Sequence, residues 1–228
     1  MMKNKSIILL SGGLDSVVSL ALAKDFCSDI LAITFNYGQK SFEAEKKAAE
    51  AISSYYKISH IVVDLPWLAA ISTSSLNNAD DVPVLSYDDL NDISIASSAS
   101  NSVWVPNRNA LFINIAAAFA EAKGYDSIVI GANSEEAVTF KDNSIDFITA
   151  INSSLENSLN AVVKVIAPLI DAKKEDIVRL GQELEVPFEL IHSCYVSNDN
   201  HCGNCESCLR LKRAFEQNNA YSLIEKLF

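Results

Sequence analysis

The chain has 228 residues, 49% of them hydrophobic, and a formal net charge of −11. That length buries a full core and suits one large domain, or one domain with an appendage. No apolar run approaches a membrane span, and Met1-Met2-Lys3-Asn4-Lys5 leads straight into a strand without a signal-peptide core, so a cytoplasmic protein is expected. The acidic balance repels a phosphate backbone unless basic residues cluster, which favours a small-molecule substrate over a nucleic acid. In chain order, residues 7–10 read as a buried strand, followed by the small turn Ser11-Gly12-Gly13 and an apolar-periodic helix starting near Leu14. Cys27 is expected to close that helix as a small buried hydrophobe. Residues 30–35 read as a second strand, 41–56 as a helix with Glu43 and Glu45 in its first turn, and 60–65 as a third strand. Single helices between strands call for right-handed crossovers and a parallel sheet covered on both faces, which is a doubly wound α/β domain.

The pattern breaks over residues 71–103, which are rich in Ser, Asn and Asp. A structureless connection of that length is either a mobile flap over an active site or a disordered segment. Order returns at Val103-Trp104-Val105-Pro106-Asn107-Arg108-Asn109. Pro106 forces an extended approach, and Asn107 or Asn109 caps a helix running to about Lys123. That helix is apolar nearly all round and is expected to be buried. A fourth strand over 127–131, a helix over 143–159, a fifth strand over 162–166 and a helix over 173–184 complete the series. The division expected is an α/β domain over 1–185, with its flap near 71–103, and a C-terminal region over 186–228 packed on it.

The turn after the first strand carries the first chemistry. Adjacent glycines let the backbone curl and let an anion approach the amides, Ser11 and Ser16 add hydroxyl donors, and the helix at Leu14 points its positive end at the loop. Such a loop holds phosphate. It lacks the Gly-Lys-Ser/Thr of a Walker loop and the third glycine of a dinucleotide fingerprint. Ser11-Gly12-Gly13-Leu14-Asp15-Ser16 instead resembles the pyrophosphate loop of the ATP pyrophosphatase group, whose members cut ATP between its α- and β-phosphates to form an adenylate. The resemblance implies that Leu10 and the loop from Ser11 to Ser16 hold the β,γ-pyrophosphate, with Asp15 helping to hold Mg²⁺.

Five cysteines are present, and Cys194, Cys202, Cys205 and Cys208 have the spacing C-x7-C-x2-C-x2-C. Overlapping CxxC pieces converge successive thiolates, and one from upstream closes a tetrahedron. Four thiolates favour Zn²⁺ and leave no open position, so the metal is structural. A redox pair leaves Cys194 and Cys208 without a role. An iron–sulfur cluster fits the same ligand set. His201 is a rival ligand or a neighbour of the site.

The loop, Thr34-Phe35-Asn36-Tyr37-Gly38-Gln39, Val105-Pro106-Asn107-Arg108-Asn109, Ile130-Gly131-Ala132-Asn133 and the terminal cysteines occur in one order. Together they resemble the 7-cyano-7-deazaguanine synthase family over essentially the whole chain. That resemblance implies an adenine nucleotide α-hydrolase-like doubly wound sheet with a C-terminal helical region that binds zinc through four cysteines. It implies an ATP-dependent ligase that adenylates 7-carboxy-7-deazaguanine, lets ammonia displace AMP, and adenylates the resulting amide so that a second AMP leaves the nitrile. Phe35, Tyr37, Gly38, Gln39 and Gly131 would line the nucleotide site, although Tyr37 reads equally as core. Arg108 would meet a phosphate or the substrate carboxylate, its other reading being a surface ion pair, and Lys174 reads either as a phosphate contact or as a solvated helix-start lysine. Asn109, Asn133, Glu135, Lys141 and Asp142 would meet the deazapurine.

One segment departs from the pattern. Where relatives carry Gly-Tyr-Pro-Asp-Cys-Arg-Pro-Glu-Phe, this chain has Thr139-Phe140-Lys141-Asp142-Asn143-Ser144-Ile145-Asp146-Phe147. The arginine is gone, and Lys141 would restore the charge without bidentate geometry. That leaves the acceptor open between ammonia and a protein amine, the latter as in related antiviral-defence enzymes. Transfer-RNA-modifying relatives of the loop need a basic surface that this chain lacks. A homodimer is left open.

Overall fold

In the computed structural model, residues 4–196 and 200–228 are described. Strand β1 (Asn4–Leu9) leads into helix α1 (Leu14–Phe26), strand β2 (Cys27–Asn36), helix α2 (Phe42–Tyr56) and strand β3 (Ser59–Asp64). Helices α3 (Pro66–Ile71), α4 (Ile93–Ser102) and α5 (Arg108–Lys123) precede strand β4 (Ser127–Val129). Helix α6 (Ser134–Ala137), helix α7 (Ile145–Ser158), strand β5 (Lys164–Ile166) and helices α8 (Lys174–Glu183), α9 (Glu206–Gln217) and α10 (Tyr221–Leu227) complete the chain.

The strands form a parallel sheet in the order β3-β2-β1-β4-β5, so the order reverses beside β1, between it and β4. In an open α/β sheet that reversal opens a crevice at the carboxyl ends of the strands. Ile7 and Ile128 face one side of the sheet with Ile113 and Ala116 of α5, while Ile8 and Val129 face the other with Val17 and Leu20 of α1. Both layers exclude water from the sheet, and apolar burial of this kind supplies the main drive to fold. The cysteine segment belongs to both: Cys194, Cys205 and Cys208 pack in the first layer, and Leu211, Ala214 and Phe215 of α9 in the second.

Cys27 closes α1 as its C-cap, buried as expected, and also opens β2, with its Sγ 2.8 Å from Ser6 Oγ. Three local expectations change. Asn107 stands at the N-cap of α5 but in a left-handed conformation, and no side-chain bond caps the helix. Helix α5 buries one face, Ile113, Ala116, Ala117 and Ala120, and leaves Asn114 and Ala118 exposed. Residues 71–103 are not structureless. They contain α4, capped by Asp92 accepting from the Ser94 and Ile95 amides, and a single-turn helix over Asp89–Asn91. Leu76 and Val82 of this segment lie in the core. Val84 bridges to Cys205, the Leu85 N–H donates to the Asn204 carbonyl at 3.0 Å, and the Tyr87 hydroxyl donates to Glu216 at 3.0 Å. The segment is fastened to the cysteine region.

Candidate active site

A cavity of about 240 Å³ lies in the crevice where the strand order reverses. Its floor is the end of β1 and the turn after it. Gly12 has φ +79°, in the left-handed region, and an added Cβ would lie 2.7 Å from the Ala48 Cβ of α2. The turn therefore has no room for a side chain at this position. Gly13 caps α1, and the Ser16 hydroxyl donates to its carbonyl at 3.0 Å. Gly131, just past β4, presses on the same helix start: a Cβ there would come within 2.8 Å of the Ser16 nitrogen. Leu10, Ser11, Gly13, Leu14, Asp15, Ser16 and Gly131 line the cavity.

Beside the loop sits a buried charge cluster. The Lys174 Nζ donates to Asp15 Oδ2 at 2.5 Å and to Glu136 Oε1 at 2.6 Å. Lys174 is 8% exposed, so the reading of a solvated helix-start lysine does not hold. Burial raises the Asp15 pKa to about 6; Lys174 pulls it down and Glu136 pushes it up. Burial also works against ionising Glu136, but Lys174, joined by Arg210 and Arg108, holds that group below the usual glutamate value. The lysine's attraction and its burial oppose each other in the same way, and attraction wins, so it stays protonated. Two carboxylates sharing one ammonium in a half-dry cavity persist because removing either partner strands a charge. Asp15 Oδ1 is buried with no hydrogen-bond partner. A bare carboxylate oxygen suits a hard divalent cation, and Mg²⁺ is ordinarily held by one or two carboxylates with the remaining positions taken by phosphate and water.

The opposite wall comes from β2, the turn after it and α5. Phe35 stacks on Phe112 with ring centroids 4.1 Å apart, at 9°. Tyr37 is both things expected of it: it is buried in the core and lines the cavity. Its hydroxyl accepts from Arg108 at 3.1 Å, and the guanidinium sits 5.7 Å from the ring centroid. Among the described residues no carboxylate lies within ion-pair distance of Arg108, so its planar fork is open to an anion in the cavity. Gln39 lines the cavity but commits its amide to the turn, donating to the Phe35 carbonyl and to Glu45 and accepting from the Tyr37 N–H. Gly38 lies outside, against Ala69.

The remaining expected residues divide. Asn109 lines the cavity and donates to the Asp142 carbonyl at 3.3 Å. Asp142 itself does not line it; burial raises its pKa, with Arg108 opposing. Asn133 is fully buried and caps α6, accepting from the Glu136 N–H at 3.0 Å. Glu135 points away, paired with Arg210 and Arg213, and takes the Lys174 N–H at 3.2 Å. Lys141 is exposed and does not line the cavity, so it does not replace the missing arginine. Ser144, which stands at the arginine's place, caps α7 by accepting from the Phe147 N–H. From the altered segment it is Asn143 that reaches the cavity.

Sequence reasoning missed Glu136 and the wall built by the cysteine region. The His192 N–H donates to the Gly12 carbonyl at 2.9 Å, and Ser193 Oγ accepts from the Leu14 N–H at 3.3 Å. His192, Ser193, Tyr195 and Ser207 line the cavity. The segment thus braces the turn after β1. The four cysteine sulfurs lie within 4.8 Å of one another, and those of Cys202 and Cys208 are 3.8 Å apart. A tetrahedron with metal–sulfur bonds near 2.3 Å has edges of about 3.8 Å, so the cluster fits a zinc ion. His201 is not a fifth ligand: its Nε2 accepts from the Ser193 N–H at 2.9 Å and its Nδ1 faces the Leu227 carbonyl at 3.1 Å. Both ring nitrogens hold the segment to the C-terminal helix.

Comparisons with known proteins place the chain in a family. The family model described as "Queuosine biosynthesis protein QueC" matches residues 5–219. The 7-cyano-7-deazaguanine synthase of Methanobrevibacter smithii is 46% identical over 217 residues, covering 95% of each chain. That of Bdellovibrio bacteriovorus is 48% identical over 222 residues, covering 96% of each. Among solved structures, a 4-thiouridine synthetase in complex with RNA and bound ATP covers 99% of this chain and 53% of its own, with TM-score 0.53 and 21% identity. The U34-tRNA thiolase NcsA from Methanococcus maripaludis, with its [4Fe-4S] cluster, covers 99% and 71%, with TM-score 0.51 and 20% identity. Those two likenesses establish the fold alone, that of the adenine nucleotide α-hydrolase-like sheet. By the family match and the near-full-length relatives, the chain belongs to the QueC family of queuosine biosynthesis proteins and is an enzyme of queuosine-precursor synthesis.

Proposed function

We propose that the chain is an ATP-dependent ligase that converts 7-carboxy-7-deazaguanine to 7-cyano-7-deazaguanine with ammonia as the nitrogen source. The observation that carries this reading is the meeting, in one cavity, of a phosphate turn, a buried lysine between two carboxylates, and an arginine open to an anion. A carboxylate or amide oxygen is a poor leaving group until it is adenylated. The turn and the start of α1 receive the β,γ-phosphates, whose developing charge the loop amides stabilise without reorganising. Lys174 is within reach of the same phosphates once it leaves the carboxylates. Bound Mg²⁺, held by Asp15, would supply further charge neutralisation on the phosphate oxygens. Arg108 then holds the substrate carboxylate, and Phe35, Phe112 and Tyr195 give the cavity the flat apolar walls that a fused heteroaromatic ring requires. The four cysteines would hold Zn²⁺ as a brace behind the turn, outside the chemistry.

The same cavity would serve a protein amine in place of ammonia, as in a defence enzyme, but the names of the relatives at 46–48% identity favour the nitrile. Incubating the protein with ATP, 7-carboxy-7-deazaguanine and ammonium, and following AMP, pyrophosphate and the deazapurine by mass spectrometry, separates the two. Nitrile is the expected product. AMP release without nitrile or amide would move the assignment to a conjugating enzyme. Asp15→Ala should abolish pyrophosphate release while the circular dichroism spectrum stays that of the folded chain; a fully active variant would defeat the reading.

A further inference from the structure

We infer that Glu136 is the catalytic base of the amine step: it takes the proton that the attacking nitrogen must lose. The inference rests on the reaction proposed above and adds a residue to it. Ammonia adds to the acyl carbon of the adenylate, a C–N bond forms, the bond from that carbon to the AMP oxygen breaks, and one proton in excess remains on nitrogen. In the nitrile stage, the O-adenylated imidate loses its remaining N–H proton as the C–O bond to AMP breaks and the C≡N bond forms. Each departure needs an acceptor on the substrate side of the phosphates.

Three carboxylates line the cavity: Asp15, Glu45 and Glu136. Glu45 has both oxygens committed, Oε1 to the Ser41 hydroxyl at 2.6 Å and Oε2 to Gln39 Nε2 at 2.9 Å. Asp15 belongs to the phosphate turn, in the first turn of α1. His192 also lines the cavity, but at the turn, where its backbone N–H donates to the Gly12 carbonyl and its ring packs 4.8 Å from the His201 ring, away from Glu136 and Arg108 at the other wall. Tyr37 and Tyr195 are buried phenols whose pKa values burial drives up, so neither releases a proton to become a base. Glu136 remains. It spans the two halves of the site, bonded to Lys174 on the phosphate side and within electrostatic reach of Arg108 and Tyr195 on the other. Its neighbour on the same short helix, Glu135, is held by two arginines behind the cavity, so α6 presents one glutamate only. When Lys174 turns to the phosphates, Glu136 loses its partner and its carboxylate becomes more basic at the point where the amine arrives.

The test compares two rates in each variant of the full chain: ATP–pyrophosphate exchange dependent on 7-carboxy-7-deazaguanine, and ammonium-dependent product formation. Glu136→Gln keeps an oxygen that accepts from Lys174 but cannot take a proton. General-base catalysis is worth roughly 10²–10⁴-fold, so product formation should fall by about 100-fold or more, and by at least about tenfold more than exchange. Glu136→Asp should recover part of the product rate. A parallel fall of both rates would show that Glu136 only positions Lys174, and product formation retained in Glu136→Gln would show that it has no role; either overturns the inference. Zinc content and the thermal unfolding midpoint distinguish a folded variant from a collapsed one, and Glu136→Asp supplies the comparison if the glutamine variant unfolds. Absence of substrate-dependent exchange in the unaltered protein is a separate outcome, and it would sink the proposed reaction itself.

Discussion

At the scale of single residues, the site turns on which of two adjacent glutamates faces inward. Successive residues on a helix point about 100° apart, and α6 is turned so that Glu136 lines the cavity while Glu135 pairs with Arg210 and Arg213. The sequence offers both, and the family resemblance points to Glu135. The deciding signal is Asn133, whose side chain accepts the Glu136 N–H and so fixes where the helix begins, but that bond is legible only once the helix is known to exist. Lys174 was within reach of sequence reasoning as a phosphate contact; its burial between two carboxylates was not, because Asp15 and Lys174 are distant in the chain. The pair predicts a pH profile. Burial holds the Asp15 pKa at about 6, above the ordinary 3.8, so below about 6 the ligand-free site carries a protonated carboxyl that does not bind a divalent cation well. Glu136 is held low and contributes nothing in that range. The kcat/KM for ATP in pyrophosphate release, which reports the free enzyme, should rise about tenfold per pH unit below about 6 and flatten above it. Initial rates at subsaturating ATP from about pH 5 to 8 check this, and a flat profile between about pH 5 and 7 would contradict it.

At the scale of elements, the turn between β1 and α1 and the spacing of the cysteines could both be read from sequence, because each is a local pattern with a local cause. What they do to each other could not. The cysteine segment reaches the turn through the His192 and Ser193 bonds, and the 71–103 connection through Val84 and Leu85. Composition made that connection look structureless, since Ser and Asn are poor helix formers. Burial of Ala96 and Ala99 on α4, and of Leu76 and Val82 in the loop before it, gives the segment tertiary contacts that override the propensity. Metal and connection should therefore be coupled. Stripping the cysteine site with a chelator, or replacing Cys208 by Ser, should raise amide exchange at residues 84–87 and 192–195 before the sheet is affected. Hydrogen-exchange mass spectrometry of the loaded and stripped protein reads this directly. Unchanged protection at 84–87 in stripped protein would mean that the bridge to Cys205 does not depend on the metal.

At the scale of the whole molecule, the alternation of strands and helices announced a parallel doubly wound sheet, but not its strand order. Nothing local says that the chain, after β3 and the long connection, returns to the far side of β1 to place β4. That return creates the crevice, and Gly131 records it: the residue has to be small because β4 ends against the start of α1. The fold is shared with enzymes that work on RNA, so fold alone leaves the acceptor class open. Charge separates them. A chain with 29 acidic and 18 basic side chains meets electrostatic repulsion on approaching a polyanion, and Arg108, Lys174 and Arg210, three of its cations, are turned inward to the cavity or to buried carboxylates. Binding to nucleic acid by counterion release weakens steeply as salt rises, which gives the prediction a signature. Fluorescence anisotropy with bulk tRNA should give no saturable binding at micromolar protein in about 50 mM salt, and no salt-dependent signal between about 50 and 200 mM. A salt-sensitive complex in that range would require a basic face that outweighs the net charge, and would return a transfer-RNA substrate to consideration.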